Sequence, residues 1–277
     1  MTRYSGAKSQ ESSHQAADTG HHAGQAHSSA PTSAAATPAT WRPLLLGHRG
    51  ARPLSRFKRN AGDERVPAEN TLACFEFALA HGCDGFEFDV RVTRDARLVL
   101  CHDVRLRGCK VSASLFDHLC SRSGERLPCL EDVLRAFDGR AYLDIEVKVA
   151  GAEELIVDAL RRSAHRQYLL SSFLPEVLLR LHELDPSLPL GYVCKRSTAA
   201  GSWRELPIQV FLPHYELVTD RLVHEAHSRE LQVFTWTVNR RQDMLRLASW
   251  GIDGVISDDP KLLAGTFGRR HSVAKSE

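Results

Sequence analysis

Apolar segments of strand length alternate with helical patterns along most of this chain, and this alternation limits the folds open to it. The strand candidates are residues 44–48, 85–90, 141–147, 167–171, 190–194, 208–212, 231–236 and 254–257. Helical patterns cover residues 71–80, 130–137, 152–163, 175–184, 220–228 and 240–249. Eight strands alternating with helices predict an α/β fold, a distorted (β/α)8 TIM barrel. A doubly wound open sheet is the alternative, although no GxGxxG or GxxxxGKS/T motif follows a strand.

Two acids and a histidine lie close together around the second strand. Glu87 and Asp89 are two residues apart in an apolar run, so both carboxylates project from one face of a strand. The next apolar run, residues 97–101, follows a connection that suits a tight hairpin. A turn centred on residues 94–95 would place position 87 opposite His102. Two carboxylates beside an imidazole suggest an oxygen-ligated divalent cation with an adjacent proton shuttle, as in metal-assisted phosphoryl enzymes.

Polar residues also interrupt the first and third barrel strands near their ends. His48 and Arg49 end the first strand, and Asp144, Glu146 and Lys148 share one face of the third. Catalytic groups of a barrel gather at the carboxyl ends of its strands. Charges on an inward face are costly unless they are paired or bind a metal. Salt bridges would explain a single strand-end acid, whereas a converging set of acids favours a metal site.

Composition excludes several other classes of protein. The 277 residues are 43% hydrophobic and 25% charged, which is typical of a soluble protein with one large core or two smaller ones. A net charge of +2 is too balanced to predict nucleic-acid binding. No apolar run approaches the roughly 20 residues that span a bilayer, and the N-terminus lacks a secretory h-region, so we expect a cytoplasmic protein without stable membrane insertion. Seven cysteines without a CxxC pair predict buried or reduced thiols.

Four segments fall outside the regular pattern. Residues 1–40 contain almost no large aliphatic side chains and predict a disordered tail, whose histidines are more readily explained as solvated than as weak metal ligands. Residues 265–277 predict a second, frayed tail, which leaves a barrel domain at 41–264. Residues 104–128 predict a short, poorly patterned insertion after the second strand. The basic loop 51–68 is interpreted as a solvated surface loop, the alternative being that it guides an anionic ligand.

Seven short motifs, taken together, give the chain a specific resemblance. They are HRG at 48–50, ENT at 69–71, EFDV at 87–90, HD at 102–103, EVK at 146–148, FTWTVN at 234–239 and SDDP at 257–260. In this order they resemble the glycerophosphodiester phosphodiesterase family. The resemblance implies a distorted TIM barrel that splits a phosphodiester into an alcohol and a phosphomonoester, commonly with calcium or magnesium.

The same resemblance implies roles for individual residues. It makes Glu87, Asp89 and Glu146 the ligands of one divalent cation, Ca²⁺ or Mg²⁺, both of which prefer carboxylate oxygen. It makes His48 and His102 the catalytic pair, since imidazoles can accept and donate protons near neutral pH.

Three further residues match substrate-binding positions of the family. Arg49 and Lys148 match positions that contact the phosphate, although Lys148 could merely pair with Glu146 or Asp144. Trp236 matches an aromatic residue that lines the pocket mouth, although an aromatic residue on a barrel strand is often part of the core.

The expected function is metal-dependent hydrolysis of a small glycerophosphodiester to an alcohol and glycerol 3-phosphate. Three alternatives stay open at this point. A lysophospholipase D would use the same chemistry on a lysophospholipid, and a phosphoinositide-type lyase would stop at a cyclic phosphate. A non-catalytic barrel would only bind the diester. The sequence leaves the head group, the metal and the oligomeric state open.

Overall fold

The computed structural model describes residues 42–53, 65–196 and 202–269. We number the strands and helices of these residues in chain order. Strands β1 to β11 are Leu44–His48, Gly85–Val92, Leu98–Leu100, Arg105–Leu106, Cys109–Lys110, Tyr142–Val147, Tyr168–Ser172, Leu190–Cys194, Val210–Pro213, Gln232–Thr235 and Gly254–Ser257. Helices α1 to α8 are Leu72–Ala80, Phe116–Ser123, Leu130–Ala136, Glu153–Arg162, Pro175–Leu184, Asp220–His227, Arg241–Ser249 and Pro260–Thr266.

Eight parallel strands close into a barrel. Their order is β1, β2, β6, β7, β8, β9, β10 and β11, and β11 pairs with β1 to complete the ring. Strand β3 adds to β2 as the antiparallel arm of a hairpin. The predicted TIM barrel is therefore confirmed, and its eight strands are the eight that the sequence pattern indicates.

The apolar core has an outer and an inner layer. In the outer layer, between strands and helices, Phe86 and Phe88 of β2 pack against Phe75 of α1. The inner layer fills the barrel with Leu46, Leu169, Val193, Val210, Leu212, Phe234 and Ile256. None of these seven belongs to β2 or β6. Tyr142 of β6 packs against this layer, and because side chains alternate along a strand, the inward positions nearer the carboxyl ends of β2 and β6 carry acids instead.

Local signals define several helix ends. The Thr71 side chain accepts a hydrogen bond from the Cys74 N–H and caps α1, while Asp259 caps α8 in the same way. Prolines at the first positions of α5 and α8 cost no hydrogen bond there. Helix α4 has acidic residues in its first turn and basic ones in its last, which suits the helix dipole.

The structure corrects the boundaries of the chain segments. The insertion after the second barrel strand is more ordered than its pattern predicts: it holds β4, β5 and α2, packed on a small apolar cluster that includes Leu119 and Val111. Helix α8 continues past the predicted boundary at residue 264, and Arg269 beyond it forms an ion pair with Asp84. The predicted tail 1–40 and residues 270–277 lie outside the described residues, as do residues 54–64 of the basic loop.

The hairpin of β2 and β3 differs from its predicted register by one residue. Val90 pairs with Leu100, which places residue 88, not 87, in register with residue 102. The turn is longer than a two-residue turn because Ala96 adopts a left-handed conformation, with φ of 60°. The one-residue difference matters because side chains alternate between the two faces of a sheet. A shift of one residue in the pairing therefore changes which side chains of β2 lie on the same face as residue 102.

Two further expectations concern the whole chain. Among the described residues, no helix is both long and apolar enough to cross a membrane. All seven cysteines fall within the described ranges and are free thiols, as predicted.

Candidate active site

The predicted site residues converge on a cavity of about 330 Å³ at the carboxyl ends of the barrel strands. Its lining includes His48, Arg49, Arg52, Glu87, His102, Asp144, Glu146, Lys148, Ser171, Phe173, Lys195, His214, Trp236 and Thr237. We call the opening of this cavity the mouth of the barrel. The ends of β1, β2 and β6 form what we call its acidic half. The ends of β7, β8, β9 and β10 are its aromatic half.

The turn after β1 orients the first catalytic candidates. His48 ends the strand, Arg49 has φ of 51° and Gly50 has φ of 85°. A Cβ atom on Gly50 would lie 2.8 Å from the backbone of Cys74, so only glycine fits this turn. The turn directs the Arg49 backbone N–H at Glu87 Oε2, 2.9 Å away. The HRG motif thus connects the end of β1 to the acids of β2.

Glu87, Asp89 and Glu146 form a cluster suited to a cation. One carboxylate oxygen from each lies within 4.8 Å of the others. Glu87 Oε1 and Asp89 Oδ1 are buried and accept no hydrogen bond from the described residues. Buried polar atoms without partners are rare in folded proteins and usually indicate a missing ligand or a functional role. Three carboxylates with two such oxygens match the donor set of a hard divalent cation.

The acids of this cluster respond differently to their surroundings. Burial raises the pKa of Glu87 well above its usual value, and the negative charges of Asp89 and Glu146 add to this effect. Burial also raises the pKa of Glu146, although Lys148 opposes it. For Asp89 burial is outweighed by Lys148 and Arg49, which hold its pKa below the usual value. The charged form of Glu87 is therefore disfavoured in the absence of a cation, and a bound cation would stabilise it.

Asp144 is a further buried acid of β6 in the acidic half. The Ser171 hydroxyl donates a hydrogen bond of 2.6 Å to Asp144 Oδ1, and burial raises the pKa of Asp144 to about 7. The sequence places Asp144 on the same strand face as Glu146 and Lys148, and the structure confirms this placement.

Two cations lie against the acid cluster. Lys148 Nζ is 2.6 Å from Glu146 Oε1 and 3.4 Å from Asp89 Oδ1. Arg49 Nε is 3.2 Å from Asp89 Oδ2, and its Nη1 donates to Glu69 Oε1 at 2.9 Å. Both cations line the cavity, where they can contact a bound phosphate as well as the acids.

A chain of hydrogen bonds orients His48. Its Nδ1 lies 2.7 Å from Asp258 Oδ1, and Asn239 Nδ2 donates to Asp258 Oδ2 at 2.7 Å. The Asn239 carbonyl in turn accepts from the Asp258 backbone N–H at 2.9 Å. An ionised carboxylate can only accept, so Nδ1 carries the proton. Nε2 then faces the cluster, 3.8 Å from Glu87 Oε2.

His102 enters the site from the other side, at the end of the β2–β3 hairpin. Arg91 of β2 donates from Nε and Nη2 to the His102 carbonyl, at 3.0 Å and 2.7 Å. The Nδ1 atom of the His102 ring lies 2.8 Å from Asp103 Oδ1, and the His102 side chain is 37% exposed. The hairpin places His102 at the cavity even though its register differs from the predicted one.

Several residues that support the site were not among the predicted site residues. Asn70 has φ of 58°, donates to Asp89 Oδ2 at 2.9 Å and accepts from the Asp89 backbone N–H at 3.2 Å. Glu69 bridges Arg49 and Arg52. These residues, like Asp258 and Asn239, belong to the quoted motifs ENT, SDDP and FTWTVN, so a signal for them was present in the sequence.

The aromatic half has a different character. Phe173 and His214 each lie perpendicular to the Trp236 ring, with centroids 5.4 Å and 5.3 Å away. The Trp236 indole N–H donates to the Leu212 carbonyl at 2.9 Å, which fixes the ring at the mouth. Lys195 completes the lining of this half. The structure places Trp236 in the cavity lining, and its role in substrate binding stays a prediction. Phe173, Lys195 and His214 were not identified from the sequence.

Comparison with known proteins agrees with the fold. The model of the glycerophosphoryl diester phosphodiesterase family matches residues 48–262, which include all eight predicted site residues. The chain belongs to this family of phosphoric diester hydrolases.

Individual relatives cover most of the chain. A glycerophosphodiester phosphodiesterase of Caldanaerobacter subterraneus is 28% identical over 226 residues, which are 73% of this chain and 93% of the relative. A probable glycerophosphodiester phosphodiesterase of Mycobacterium tuberculosis is 30% identical over 72% of this chain and 84% of its own length. A phosphodiesterase of Oleispira antarctica, solved with the product sn-glycerol-3-phosphate, is 23% identical with a TM-score of 0.67, covering 82% of this chain and 97% of that one.

Proposed function

We propose that this chain hydrolyses glycerophosphodiesters to an alcohol and glycerol 3-phosphate with the help of a divalent cation. The observation that carries the proposal is the acidic half of the mouth. There, three carboxylates, two of whose buried oxygens accept no hydrogen bond from the described residues, lie beside His48 and the two cations Arg49 and Lys148. Relatives of similar length named glycerophosphodiester phosphodiesterases support the substrate class.

Glu87, Asp89 and Glu146 would hold the cation, either Ca²⁺ or Mg²⁺. When bound, the cation draws negative charge from the phosphate oxygens and so favours attack at phosphorus. The protein itself supplies the rest of the positive charge. Arg49 can bind two phosphate oxygens through its planar guanidinium, and Lys148 adds a point charge on the β6 side.

The two histidines would move the protons of the reaction. The glycerol 2-hydroxyl attacks phosphorus and loses its proton to one imidazole, while the other imidazole protonates the oxygen of the departing alcohol. The phosphorus–oxygen bond to the head group breaks as the cyclic phosphate forms. Water then opens that phosphate with the proton transfers reversed. Asp258 contributes by holding the His48 ring in position and fixing its tautomer.

The experiment measures both products from the purified full chain. Glycerophosphocholine and glycerophosphoethanolamine are incubated with Ca²⁺, with Mg²⁺ or with EDTA, and glycerol 3-phosphate and the freed alcohol are quantified. We expect turnover that depends on the cation. His48→Ala and His102→Ala should each lower kcat by about 10²- to 10⁴-fold, the range for a lost general acid or base.

Other outcomes would select an alternative. Accumulation of the cyclic phosphate would indicate a lyase, and turnover of lysophosphatidylcholine but not of the soluble diesters would indicate a lysophospholipase D. Equal turnover in EDTA would contradict the role of the cation. A diester that binds without any turnover would indicate a non-catalytic barrel.

A further inference from the structure

The two halves of the mouth carry opposite charge. All three acids of the cavity lining, Glu87, Asp144 and Glu146, belong to the acidic half. Among the lining residues that the structure describes, the aromatic half contributes no carboxylate and instead contributes Lys195 and His214. A substrate that extends across the mouth therefore meets a different electrostatic environment at each end.

Under the proposed function, on which this inference rests, each arm of the diester has a place. The glycerol arm must bring its 2-hydroxyl to phosphorus next to the histidines and the cation, which lie in the acidic half. The phosphate would lie against Arg49 and Lys148, which both line the cavity. The second arm, the head group, then extends across the mouth toward β8 and β9. The residues that end these strands are in a position to select the head group.

Lys195 is the cation of this half that is available to a ligand. It follows β8 directly, lines the cavity, and has no carboxylate within ion-pair distance among the described residues. By contrast, Lys148 is paired with Glu146 and Asp89. A positive charge without a protein partner at the mouth favours an anionic group on the ligand.

His214 supports this arrangement without competing for the ligand charge. Its Nδ1 is 3.6 Å from Glu216 Oε2, and Glu216 itself is exposed and outside the cavity lining. Burial lowers the pKa of His214, and the nearby Lys195 lowers it further, so the ring is largely neutral at pH 7. It offers a hydrogen-bonding group beside the ammonium of Lys195.

The aromatic rings do not form a cage for a cationic head group. A quaternary ammonium binds best to open aromatic faces. The Phe173 ring already has the Lys148 ammonium 5.4 Å from its centroid. Trp236 is flanked by Phe173 and His214, and Lys195 adds like charge to the same half. A choline group would therefore meet repulsion where an anionic group meets attraction.

We propose that Lys195, with His214 beside it, forms a head-group subsite that selects glycerophosphodiesters whose head group carries an additional anionic group. The preference would be expressed in binding of the head group, since the proposed chemistry assigns no step to either residue. Lys195 is thus a specificity residue and not a catalytic one.

The test compares two diesters that differ by one carboxylate, glycerophosphoserine and glycerophosphoethanolamine. The wild-type chain should have the higher kcat/KM for the serine diester. Lys195→Ala should reduce the ratio of kcat/KM for the serine diester to kcat/KM for the ethanolamine diester about five-fold, which is the effect of losing one partly exposed charge pair. The kcat for the ethanolamine diester should change little. Lys195→Glu should lower the ratio further. Arg196→Ala is the matched control, because it removes a neighbouring exposed charge that does not line the cavity.

Binding separates this inference from the proposed function. The dissociation constants of both diesters are measured by calorimetry with Ca²⁺ in the His48→Ala background, with and without Lys195→Ala. A Lys195-dependent preference for the serine diester supports the subsite even if the wild-type chain turns over neither compound. An unchanged ratio after Lys195→Ala, an equal change after Arg196→Ala, or no binding of either diester would overturn it.

Discussion

The acidic and aromatic halves of the barrel mouth are built from the same element, the end of a parallel strand, yet they differ in what their inward positions hold. On β2 and β6 these positions carry Glu87, Asp89, Asp144 and Glu146. On β7 to β10 the inward positions are apolar apart from Ser171, and Phe173, Lys195, His214 and Trp236 follow at the strand ends. Among the residues that line the cavity, the acids are therefore confined to the acidic half. Under the proposed function and the inferred subsite, one half would perform the chemistry and the other would select the substrate.

The largest effect should come from removing an acid of the cation cluster. Glu87→Gln should abolish cation-dependent turnover, because the cluster loses one of its three carboxylates. A cation present at a concentration 100 times its dissociation constant would stabilise the wild-type fold by about 2.7 kcal/mol and so raise its Tm. The variant should lose this increase in Tm. The increase is measured by thermal unfolding with Ca²⁺ and with EDTA. Glu76→Gln, on the outer surface of α1, is the control and should keep it.

A smaller loss is expected when the acidic half keeps its cation but loses the orientation of His48. Asp258→Asn should lower kcat by about 10²-fold, since the imidazole loses its carboxylate partner. Asn239→Ala should lower kcat by about 10-fold, because Asn239 acts on His48 only through its hydrogen bond to Asp258. Steady-state kinetics measure both, and the cation-induced increase in Tm should persist. An unchanged kcat in Asp258→Asn would show that the hydrogen bond does not support catalysis.

Changes in the aromatic half should affect binding more than chemistry. Trp236→Phe removes the hydrogen bond to the Leu212 carbonyl and part of the wall. We expect KM to rise up to about 10-fold with kcat nearly unchanged, as when an interaction contributes equally to substrate and transition state. Trp250→Phe, at the end of α7 and away from the cavity, is the matched control. If Trp236→Phe lowered kcat as much as Asp258→Asn, the division between the halves would be wrong.

The smallest expected effect is on stability, and it concerns a residue outside both halves, in the hairpin that carries His102. Ala96 is exposed and has φ of 60°, a conformation that glycine adopts without strain. Ala96→Gly should raise the free energy of unfolding by up to about 1 kcal/mol, since relief of strain outweighs the greater entropy of the unfolded chain. Urea unfolding measures it. Ala136→Gly, within α3, should have the opposite sign and cost about 1 kcal/mol.

Much of the acidic half could be predicted because its signals are local. Glu87 and Asp89, like Glu146 and Lys148, are two residues apart on single strands, so the alternation of a strand is enough to place them on one face. Lys195 and His214 also follow strands directly, and the same rule of polar strand ends would have found them. They were missed because they stand singly, without a second polar residue at the same spacing.

Contacts between distant segments could not be predicted in the same way. Asn70 reaches Asp89 across 19 positions, and its role depends on its own left-handed backbone. The register of His102 depended on the backbone of one turn residue, Ala96, whose conformation has no clear signal in the sequence. In both cases a single backbone dihedral decides where a side chain lies.

The sequence by itself determined the eight strands, their order of alternation with helices, and the direction in which the acids of β2 and β6 point, because each depends on a repeat of two to four residues. Only the tertiary structure decided which strand ends meet. Closure of the ring by β11 brings Asp258 to His48 across 210 positions, and the same closure places Lys195 across the mouth from the acids. Such contacts depend on how all eight strands tilt and pair together, which no local repeat specifies.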